Sequence, residues 1–364
     1  MVTFLPTRPG RLADVPSFER GIGGAESNVA CGLAAAGHSV RWVSRVGADG
    51  FGDHLVSTIA SYGVDVSAVR RDPARPTGVY FRTAGERGTD AHEVAYYRAG
   101  SAASAMSAEN VDLEAVRAGR VLHLTGITAA LSEGCVELLR ELLAAGPDRP
   151  LISFDVNHRP DLWRDAEGAE VVLELARRAD VVFVGEDEAE EAWRVTGGPS
   201  AIRELLPEPG VLVVKQGVEG ATACVSAAAR WGLVAPRGGA AYRYSPAPLG
   251  PVAGPESEAA ASSPTRSTFV PSLDVDVIAT TGAGDAFAAG FLSAALRGLP
   301  VKSALRHAHL HAAATLTTPG DLAAPPARDT ADRLAAVDDG TWETLRLGPG
   351  WTQAVQAPEE VRIP

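Results

Sequence analysis

The sequence predicts an α/β protein with a mostly parallel sheet and helices on both faces. Between about residues 120 and 225, short β-branched or apolar runs alternate with helical stretches. The runs are VLHLT at 121, LISFD at 151, VVFV at 181 and VLVVK at 211. With 364 residues, 46% of them hydrophobic, the chain can bury a large core. The length is equally compatible with two domains and with one large α/β domain that carries an excursion.

Charge and composition narrow the kinds of partner. The sequence has 33 basic and 45 acidic residues, a net charge of −12, which argues against a nucleic-acid surface. A small anionic substrate is compatible, because a pocket can be locally basic. Cys31, Cys135 and Cys224 are far apart and odd in number, which indicates neither a disulfide framework nor a Cys-x-x-Cys metal site. No leader and no stretch of ~18 apolar residues is visible, so we expect a cytoplasmic protein without a membrane partner.

The first helix is predicted in GIGGAESNVACGLAAAG, residues 21–37, where a glycine pair precedes the apolar positions. Gly23 and Gly24 would let a ligand approach the backbone closely, and Asn28 offers a polar group at the helix start. The following VSRVGADGFG, residues 43–52, predicts a strand and then a Gly/Asp loop.

Two regions interrupt the alternation of strands and helices. Residues 77–98 read as two aromatic-bearing strands around a polar turn, which is typical of a hairpin. We expect this hairpin to belong to a small β-sheet lid formed by about residues 1–20 and 77–100. About residues 235–266 are rich in Ala, Pro, Gly and Ser and lack periodicity, which predicts a flexible insertion.

The stretch ATTGAGDAFAAGF, residues 279–291, predicts the entry to a buried helix. Gly282, Ala283 and Gly284 leave the first unpaired backbone N–H groups open, and with the helix dipole these form an anion site. Asp285 would then accept a hydroxyl proton beside a developing phosphoryl charge, as phosphoryl transfer requires. The alternative is an ordinary helix N-terminus with an acidic cap.

The glycine-rich opening through GADGFGDHL, together with ATTGAGDAFAAGF, resembles the two signatures of the ribokinase-like (PfkB) family of carbohydrate kinases. The resemblance covers nearly the whole chain, which implies a single kinase domain over residues 1–364. It implies a Rossmann-like (ribokinase-like) core with a β-lid, phosphorylation of a sugar hydroxyl, and ATP with Mg²⁺ as cofactors. It also implies that Asp285 is the base and that the backbone from Gly282 to Asp285 is the anion hole. Lids of this kind often pair between subunits in the family, so a homodimer through the lid is expected.

Two further stretches resemble the 2-keto-3-deoxygluconate kinases of this family. In YYRAGSAAS, residues 96–104, Tyr96 and Arg98 match the segment that holds the carboxylate end of the substrate. In DVNHRPDLW, residues 155–163, Arg159 matches the arginine of a D-x-N-x-R-x-x-L-W stretch. GGAESNVA resembles the first helix of this subgroup, which adds Gly23, Gly24 and Asn28 to the substrate side. A guanidinium pairs bidentately with a carboxylate, which a neutral hexose does not require.

Each of these assignments has a structural alternative. Arg98 could be a solvated charge on the hairpin, and Tyr96 could pack within the lid. Arg159 could form an ion pair with Asp155 or Asp161.

On the nucleotide side, the N-x-x-E motif that lies near the metal in the family aligns with residues 185–188, where the Glu is present and the Asn is not. Glu188 is therefore expected to contact Mg²⁺ indirectly, with a solvated surface Glu as the alternative. The residues assigned to nucleotide binding are Lys215, Gly217, Gly220 and Thr281. Lys215 could instead be an ordinary charge at a strand end.

The sequence departs from the family pattern in two places. The family usually has an aspartate at the position of Ala279, where it helps to hold a monovalent cation. Because alanine offers no ligand atom, dependence on a monovalent cation is doubtful. MVTFLPTRPGRL looks like the continuation of a first strand whose preceding Gly-Glu or Gly-Asp is absent. Either the start lies upstream or the protein lacks that strand, which would leave an edge of the sheet less well covered.

The sequence therefore predicts ATP-dependent phosphorylation of the terminal hydroxyl of 2-keto-3-deoxygluconate. One alternative is a kinase of the same family for fructose, another neutral sugar or a nucleoside. A second is a non-catalytic relative that only binds its ligands. A dinucleotide-dependent oxidoreductase is disfavoured, because no predicted strand is followed by G-x-G-x-x-G with an acidic residue ~20 positions on.

Overall fold

The computed structural model describes residues 1–8, 10–83, 93–146, 149–163, 167–227, 229 and 265–353. The strands are β1 (Val2–Pro6), β2 (Phe18–Ile22), β3 (Arg45–Gly47), β4 (Arg70–Asp72), β5 (Val79–Arg82), β6 (Val94–Tyr97), β7 (Val121–Thr125), β8 (Leu151–Asp155), β9 (Val181–Gly185), β10 (Val211–Lys215), β11 (Gly220–Ser226), β12 (Thr265–Pro271), β13 (Asp274–Val275) and β14 (Arg346–Leu347). The helices are α1 (Ala25–Ala35), α2 (Gly50–Ser61), α3 (Leu113–Arg117), α4 (Gly126–Ala129), α5 (Glu133–Leu143), α6 (Gly168–Arg177), α7 (Glu186–Trp193), α8 (Gly198–Leu205), α9 (Ala283–Leu296), α10 (Val301–Leu316), α11 (Arg328–Ala335) and α12 (Asp339–Glu343).

The main sheet has six strands in the order β12-β11-β10-β9-β8-β7. Strands β7 to β10 are parallel, whereas β11 and β12 are antiparallel to their neighbours. All four strands predicted between residues 120 and 225 are confirmed. Their carboxyl ends lie at one edge of the sheet, where ligands bind in folds of this class.

Helices cover both faces of the main sheet, as predicted. Successive residues of β9 point to opposite faces, and every position of this strand is buried. Phe183 belongs to the hydrophobic cluster that includes α9 and α10, where its ring meets Phe291 edge to face at 5.3 Å. Val182 and Val184 belong to the cluster on the other face, which includes α5 and α6. A central strand with two buried faces explains why these segments read as continuous apolar runs.

A second, smaller sheet has the order β2-β1-β5-β6. It contains the hairpin predicted for residues 77–98, with β5 and β6 antiparallel, and the turn at 84–92 lies outside the described residues. Strand β1 pairs with both β2 and β5, so the first residues of the chain belong to this sheet. The rings of Phe4 and Phe81 stack at 4.7 Å on its surface. The predicted lid thus exists as a separate sheet, and its closing role stays a prediction.

The insertion predicted for about residues 235–266 lies outside the described residues up to residue 264. Thr265 and Arg266, at the end of that range, are the first residues of β12. No helix in the described ranges is long and apolar enough to span a bilayer.

Candidate active site

The anion site predicted at ATTGAGDAF lies at the start of α9. Gly282 precedes the helix with a φ of +82°, and a Cβ there would collide with the backbone carbonyl of Asp321. Only glycine suits this conformation and this close approach. The helix begins at Ala283, two residues before the predicted Asp285, so Ala283, Gly284 and Asp285 occupy its first turn. The N–H groups of a first turn lack partners within the helix and attract anions.

Asp285 is held by a residue from the first helix. Asn28 Nδ2 donates a hydrogen bond of 2.8 Å to Asp285 Oδ2. Burial raises the pKa of Asp285 to about 7, and the nearby Asp155 adds to the rise, while Asn28 and Lys215 oppose it. A carboxyl group with a pKa near neutrality is well matched to accept a proton from an alcohol at physiological pH.

A cation lies beside the same helix start. Lys215 Nζ is 3.7 Å from the position that a Cβ of Gly284 would take, and it forms an ion pair of 3.1 Å with Asp155. Burial acts to lower the pKa of Lys215, but the carboxylates of Asp155 and Glu188 outweigh it and raise the pKa. The ammonium group is therefore charged at neutral pH. Together with the first turn of α9 it makes the site doubly suited to a phosphate.

Arg159 and Glu188 form an ion pair of 3.2 Å, so the partners considered from sequence, Asp155 and Asp161, are wrong. Glu188 also accepts a hydrogen bond of 2.8 Å from the backbone N–H of Gly185, which caps the start of α7. The alternative of a solvated surface Glu188 is wrong as well, because the residue is only 8% exposed. Its contact with a metal stays a prediction.

Arg98 faces the cavity from the small sheet. Its Nε is buried without a hydrogen-bond partner, and in the described part of the chain its guanidinium forms no ion pair. Burial lowers the pKa of Arg98. A freely solvated charge, the alternative considered from sequence, does not fit these observations. Tyr96 is 43% exposed, and its ring lies 5.6 Å from that of Tyr80, so it combines packing within the sheet with an accessible face.

A cavity of about 1130 Å³ connects these groups. The predicted residues that line it are Gly24, Asn28, Tyr96, Arg98, Arg159, Lys215, Thr281, Gly282, Gly284 and Asp285. The predicted residues that do not line it are Gly23, Ala283, Glu188, Gly217 and Gly220. Gly220 has a structural reason to be glycine, because its φ is +144° and a Cβ would collide with the carbonyl of Val270 on β12. Gly217 has a φ of +58° in the turn before β11.

Sequence reasoning missed one buried network. Asp321 accepts hydrogen bonds from the Tyr80 hydroxyl and, at 3.1 Å, from Arg82 Nε. A second guanidinium nitrogen of Arg82 lies 2.9 Å from the same carboxylate, and both side chains are at most 4% exposed. A Cβ at Gly23 would collide with the Tyr80 hydroxyl and with Asp321. The network therefore joins the small sheet to the loop that supports Gly282. It also accounts for glycine at position 23, because a side chain there would clash with Tyr80 and Asp321.

The site fits a phosphate chain better than a resident metal ion. The described residues contain no group of three or more His, Cys, Asp or Glu side chains suited to a metal. Mg²⁺ is commonly held by one or two carboxylates together with substrate phosphates. Asp155 and Glu188 are the nearby carboxylates, and each already pairs with a cation. The residues present thus fit a magnesium ion that arrives with a nucleotide.

Comparison with known proteins identifies the family of the chain. The family model for pfkB family carbohydrate kinases matches residues 2–235 and 254–328. The chain is 32% identical to a 2-dehydro-3-deoxygluconokinase of Bacillus subtilis, over 90% of this chain and 91% of that protein. It is 27% identical to a fructokinase of Escherichia coli, over 80% and 81%. A crystal structure of a PfkB protein from Polaromonas shares 31% identity, covers 86% of this chain and 92% of its own, and superposes with a TM-score of 0.67. The chain therefore belongs to the pfkB family of carbohydrate kinases, phosphotransferases with an alcohol group as acceptor.

Proposed function

We propose that this kinase transfers the γ-phosphoryl group of ATP to the terminal hydroxyl of 2-keto-3-deoxygluconate. The observation that carries the choice of a sugar acid is the guanidinium of Arg98, which faces the cavity and, in the described part of the chain, forms no ion pair and leaves its Nε without a hydrogen-bond partner, although the charge of the nearby Glu26 favours its protonated form. Burying a cation is costly unless it is paired. A substrate carboxylate at this place would form the ion pair that the protein itself does not provide.

The neighbours of Arg98 support the same substrate. Arg159 also lines the cavity, is 54% exposed at its side chain, and is held on one side by Glu188. Tyr96 offers a hydroxyl and a ring face from the same strand-end segment as Arg98. Two guanidinium groups and a phenol form a wall suited to a carboxylate flanked by hydroxyl groups. The likeness to the 2-dehydro-3-deoxygluconokinase of Bacillus subtilis agrees with this choice.

Asp285 is the proposed catalytic base. Its carboxylate takes the proton of the substrate hydroxyl as the new O–P bond forms. Asn28 fixes the carboxylate by its hydrogen bond to Oδ2, and Asn28 Oδ1 is buried without a partner. This oxygen is placed to accept a hydrogen bond from another sugar hydroxyl. Asn28 therefore aligns the base and the sugar at once.

The start of α9 is the proposed anion hole. ATP, bound with Mg²⁺, supplies the phosphoryl group and the metal charge that offsets the charge of its phosphates. The backbone N–H groups of Gly282 and Gly284 and the ammonium of Lys215 stabilise the charge of the transferring group, whereas the N–H of Ala283, the third member of the predicted hole, donates to the carbonyl of Thr280 at 3.3 Å. Thr281 lines the cavity directly before them. Glu188 supports the site indirectly, because it forms an ion pair with Arg159 and its carboxylate raises the pKa of Lys215.

The small sheet is proposed to act as a lid. It carries Tyr96 and Arg98 at one side of the cavity and is anchored near Gly282 through Asp321. Covering the substrate excludes water, so that sugar rather than solvent receives the phosphoryl group. Tyr97 on the outer strand β6 is 66% exposed, and we propose that this surface pairs two copies of the chain. Light scattering would test this proposal, since a purely monomeric species contradicts it.

The test of the function is ADP release from ATP and Mg²⁺ with 2-keto-3-deoxygluconate, gluconate, fructose and ribose in parallel. We expect the highest kcat/KM with the keto-deoxy acid. Preference for fructose would retain the kinase and refute the role of Arg98. Each assay is run with and without potassium, because Ala279 provides no side-chain ligand for a cation and we expect no strict dependence.

A further inference from the structure

Glu26 is a half-buried carboxylate that lines the same cavity as Arg98 and Asp285. It lies in the first turn of α1, two residues before Asn28. The proposed transfer of phosphate uses Asn28, Arg98 and Asp285 and leaves Glu26 without a role. A carboxylate at the wall of a site for an anionic sugar needs an explanation, because two like charges repel each other.

Two hydroxyl groups fix the carboxylate of Glu26 in one position. Thr125 Oγ1 donates to Glu26 Oε1 at 2.7 Å, and Thr128 Oγ1 donates to the same oxygen at 2.6 Å. Thr125 is fully buried at the end of β7, and Thr128 lies in α4, so both donors belong to ordered elements. A carboxylate oxygen has two lone pairs, and these two bonds use both lone pairs of Oε1.

The second oxygen, Oε2, receives no hydrogen bond from any residue that the structure describes, and the side chain faces the cavity. An ionised carboxylate can accept hydrogen bonds but cannot donate them. Glu26 therefore presents to the cavity an acceptor of fixed position, and a hydroxyl group is the neutral ligand that it recognises.

Glu26 lies near both ends of the proposed substrate site. Burial is the largest influence on the pKa of Arg98, which it lowers, and on the pKa of Asp285, which it raises. The charge of Glu26 raises both pKa values, which requires it to be close to both groups. Since Arg98 nevertheless forms no ion pair among the described residues, a ligand that extends from Arg98 to Asp285 passes beside Oε2.

The order of groups along the substrate matches the order of these side chains. A 2-keto-3-deoxy acid has its carboxylate at C1 and its hydroxyl groups at C4, C5 and C6. Arg98 pairs with the carboxylate, and Asp285 takes the proton of the reacting hydroxyl at C6. Asn28 is bonded directly to Asp285, so its free Oδ1 is next to the neighbouring hydroxyl at C5. The hydroxyl at C4, closer to the carboxylate, is left for Glu26.

We propose that Glu26 determines specificity by accepting a hydrogen bond from the C4 hydroxyl of the substrate at Oε2. The inference rests on the proposed function, since it requires a substrate that extends from Arg98 to Asp285. Because Thr125 and Thr128 fix the carboxylate, Oε2 meets the hydroxyl of only one configuration at C4. The C4 epimer turns its hydroxyl away and leaves a charged acceptor unpaired beside an anionic ligand, which disfavours its binding.

The experiment compares the present chain with Glu26→Gln. Glutamine keeps the oxygen that accepts from Thr125 and Thr128 and replaces Oε2 by an amide donor. The control is Glu133→Gln, which removes an exposed glutamate from the first turn of α5, outside the cavity. Each protein is assayed with ATP and Mg²⁺ on 2-keto-3-deoxygluconate, its C4 epimer and the analogue without a C4 hydroxyl. Fructose is included as a neutral sugar, and Tm is measured for each protein.

We expect the present chain to prefer 2-keto-3-deoxygluconate over the epimer and the deoxy analogue. Glu26→Gln should lower kcat/KM for 2-keto-3-deoxygluconate by about 10- to 100-fold, because a hydrogen bond to a charged group is lost. The same variant should change kcat/KM for the deoxy analogue by less than about threefold, because the mutation and the missing hydroxyl remove the same contact. Tm and KM for ATP should stay close to those of the present chain. Glu133→Gln should alter none of the substrate ratios.

An equal change of kcat/KM for all three acids in Glu26→Gln would overturn the inference, and Glu26 would then only link α1 to β7 and α4. A gain in kcat/KM for 2-keto-3-deoxygluconate would also overturn it, because the carboxylate would then act only by repulsion. Both outcomes retain the proposed function, since the acid is still phosphorylated. Turnover of fructose without turnover of 2-keto-3-deoxygluconate by the present chain would overturn the proposed function and this inference together.

Discussion

Asn28 Nδ2 donates a hydrogen bond of 2.8 Å to Asp285 Oδ2, although 257 positions separate the two residues in the chain. The helices that carry them, α1 and α9, approach closely, and a Cβ at Gly32 would lie only 2.9 Å from that of Ala289. Small residues between the helices thus bring the amide to the carboxylate. The alignment of the proposed base depends on helix packing as well as on its own sequence motif.

Asp285→Asn is expected to lower kcat by about 10²- to 10⁴-fold, because the amide cannot accept the proton of the substrate hydroxyl. ATP affinity should change little, since the N–H groups at the start of α9 are retained. Steady-state kinetics and nucleotide titration measure the two effects separately. A variant with near-normal kcat would show that Asp285 is not the base.

The pH dependence of kcat/KM should report the ionisation of Asp285 in the free enzyme. Because burial raises its pKa to about 7, the active carboxylate form is depleted as pH falls below that value. We expect kcat/KM to fall about tenfold per pH unit below this pH and to level off above it. In Asn28→Ala the inflection should move to higher pH, because the hydrogen bond from Asn28 lowers this pKa. If the inflection stays at the same pH in Asn28→Ala, the group that controls the profile is not an Asp285 carboxylate hydrogen-bonded to Asn28.

The stability of the protein should also depend on the ionisation of Asp285, and it should fall as pH rises. The pKa of Asp285 is raised from 3.8 to about 7 in the folded protein, so the folded state binds more protons between these pH values. This group therefore lowers stability progressively as pH rises through that window. Asp285→Asn removes the buried charge, and its Tm should exceed that of the parent protein at pH 8. The difference should vanish near pH 4. A Tm gain independent of pH would contradict this explanation.

The local sequence pattern was sufficient to predict the strands and the helix start that carry the site. The continuous apolar runs predicted β7 to β10, and the GAGD stretch predicted a helix start with Asp285 in its first turn. These features depend on residues adjacent in sequence. The predicted ion-pair partners of Arg159, Asp155 and Asp161, were wrong. They are near Arg159 in sequence, whereas the actual partner, Glu188, is brought near by the fold of the sheet.

Features that depend on distant contacts were not predictable. Asp321 follows a glycine in an irregular segment, and nothing near it indicates that Tyr80 and Arg82 will meet it. Gly220 was assigned to nucleotide binding because it follows a strand of the main sheet. The approach of β12 accounts for that glycine, and only the folded chain reveals it. Its contact with a nucleotide stays a prediction.

Arg98 should determine the choice between a sugar acid and a neutral sugar. Losing a hydrogen-bonded charge pair costs ~1.5–3 kcal/mol, so Arg98→Ala should raise KM for 2-keto-3-deoxygluconate by about 10- to 100-fold. KM for fructose, if fructose is turned over, should change little. Arg98→Lys keeps the charge but loses the bidentate geometry, so it should recover only part of the affinity. Equal effects on both sugars would assign Arg98 to the fold rather than to the substrate.

The buried pair of Arg82 and Asp321 should be more sensitive to loss of one partner than to loss of both. The side chains are 4% and 2% exposed, so Asp321→Asn leaves an uncompensated guanidinium in the interior. We expect this single change to destabilise the protein by about 3–5 kcal/mol. Arg82→Met combined with Asp321→Asn should be less destabilised than the single variant, because no unpaired charge remains. Denaturant unfolding of both single variants and the double variant gives the coupling energy. Additive changes in the free energy of unfolding would show that the two side chains do not interact. Strong coupling, accompanied by a loss of kcat in the single variants, would show that the small sheet helps to hold the segment around Asp321 against Gly282.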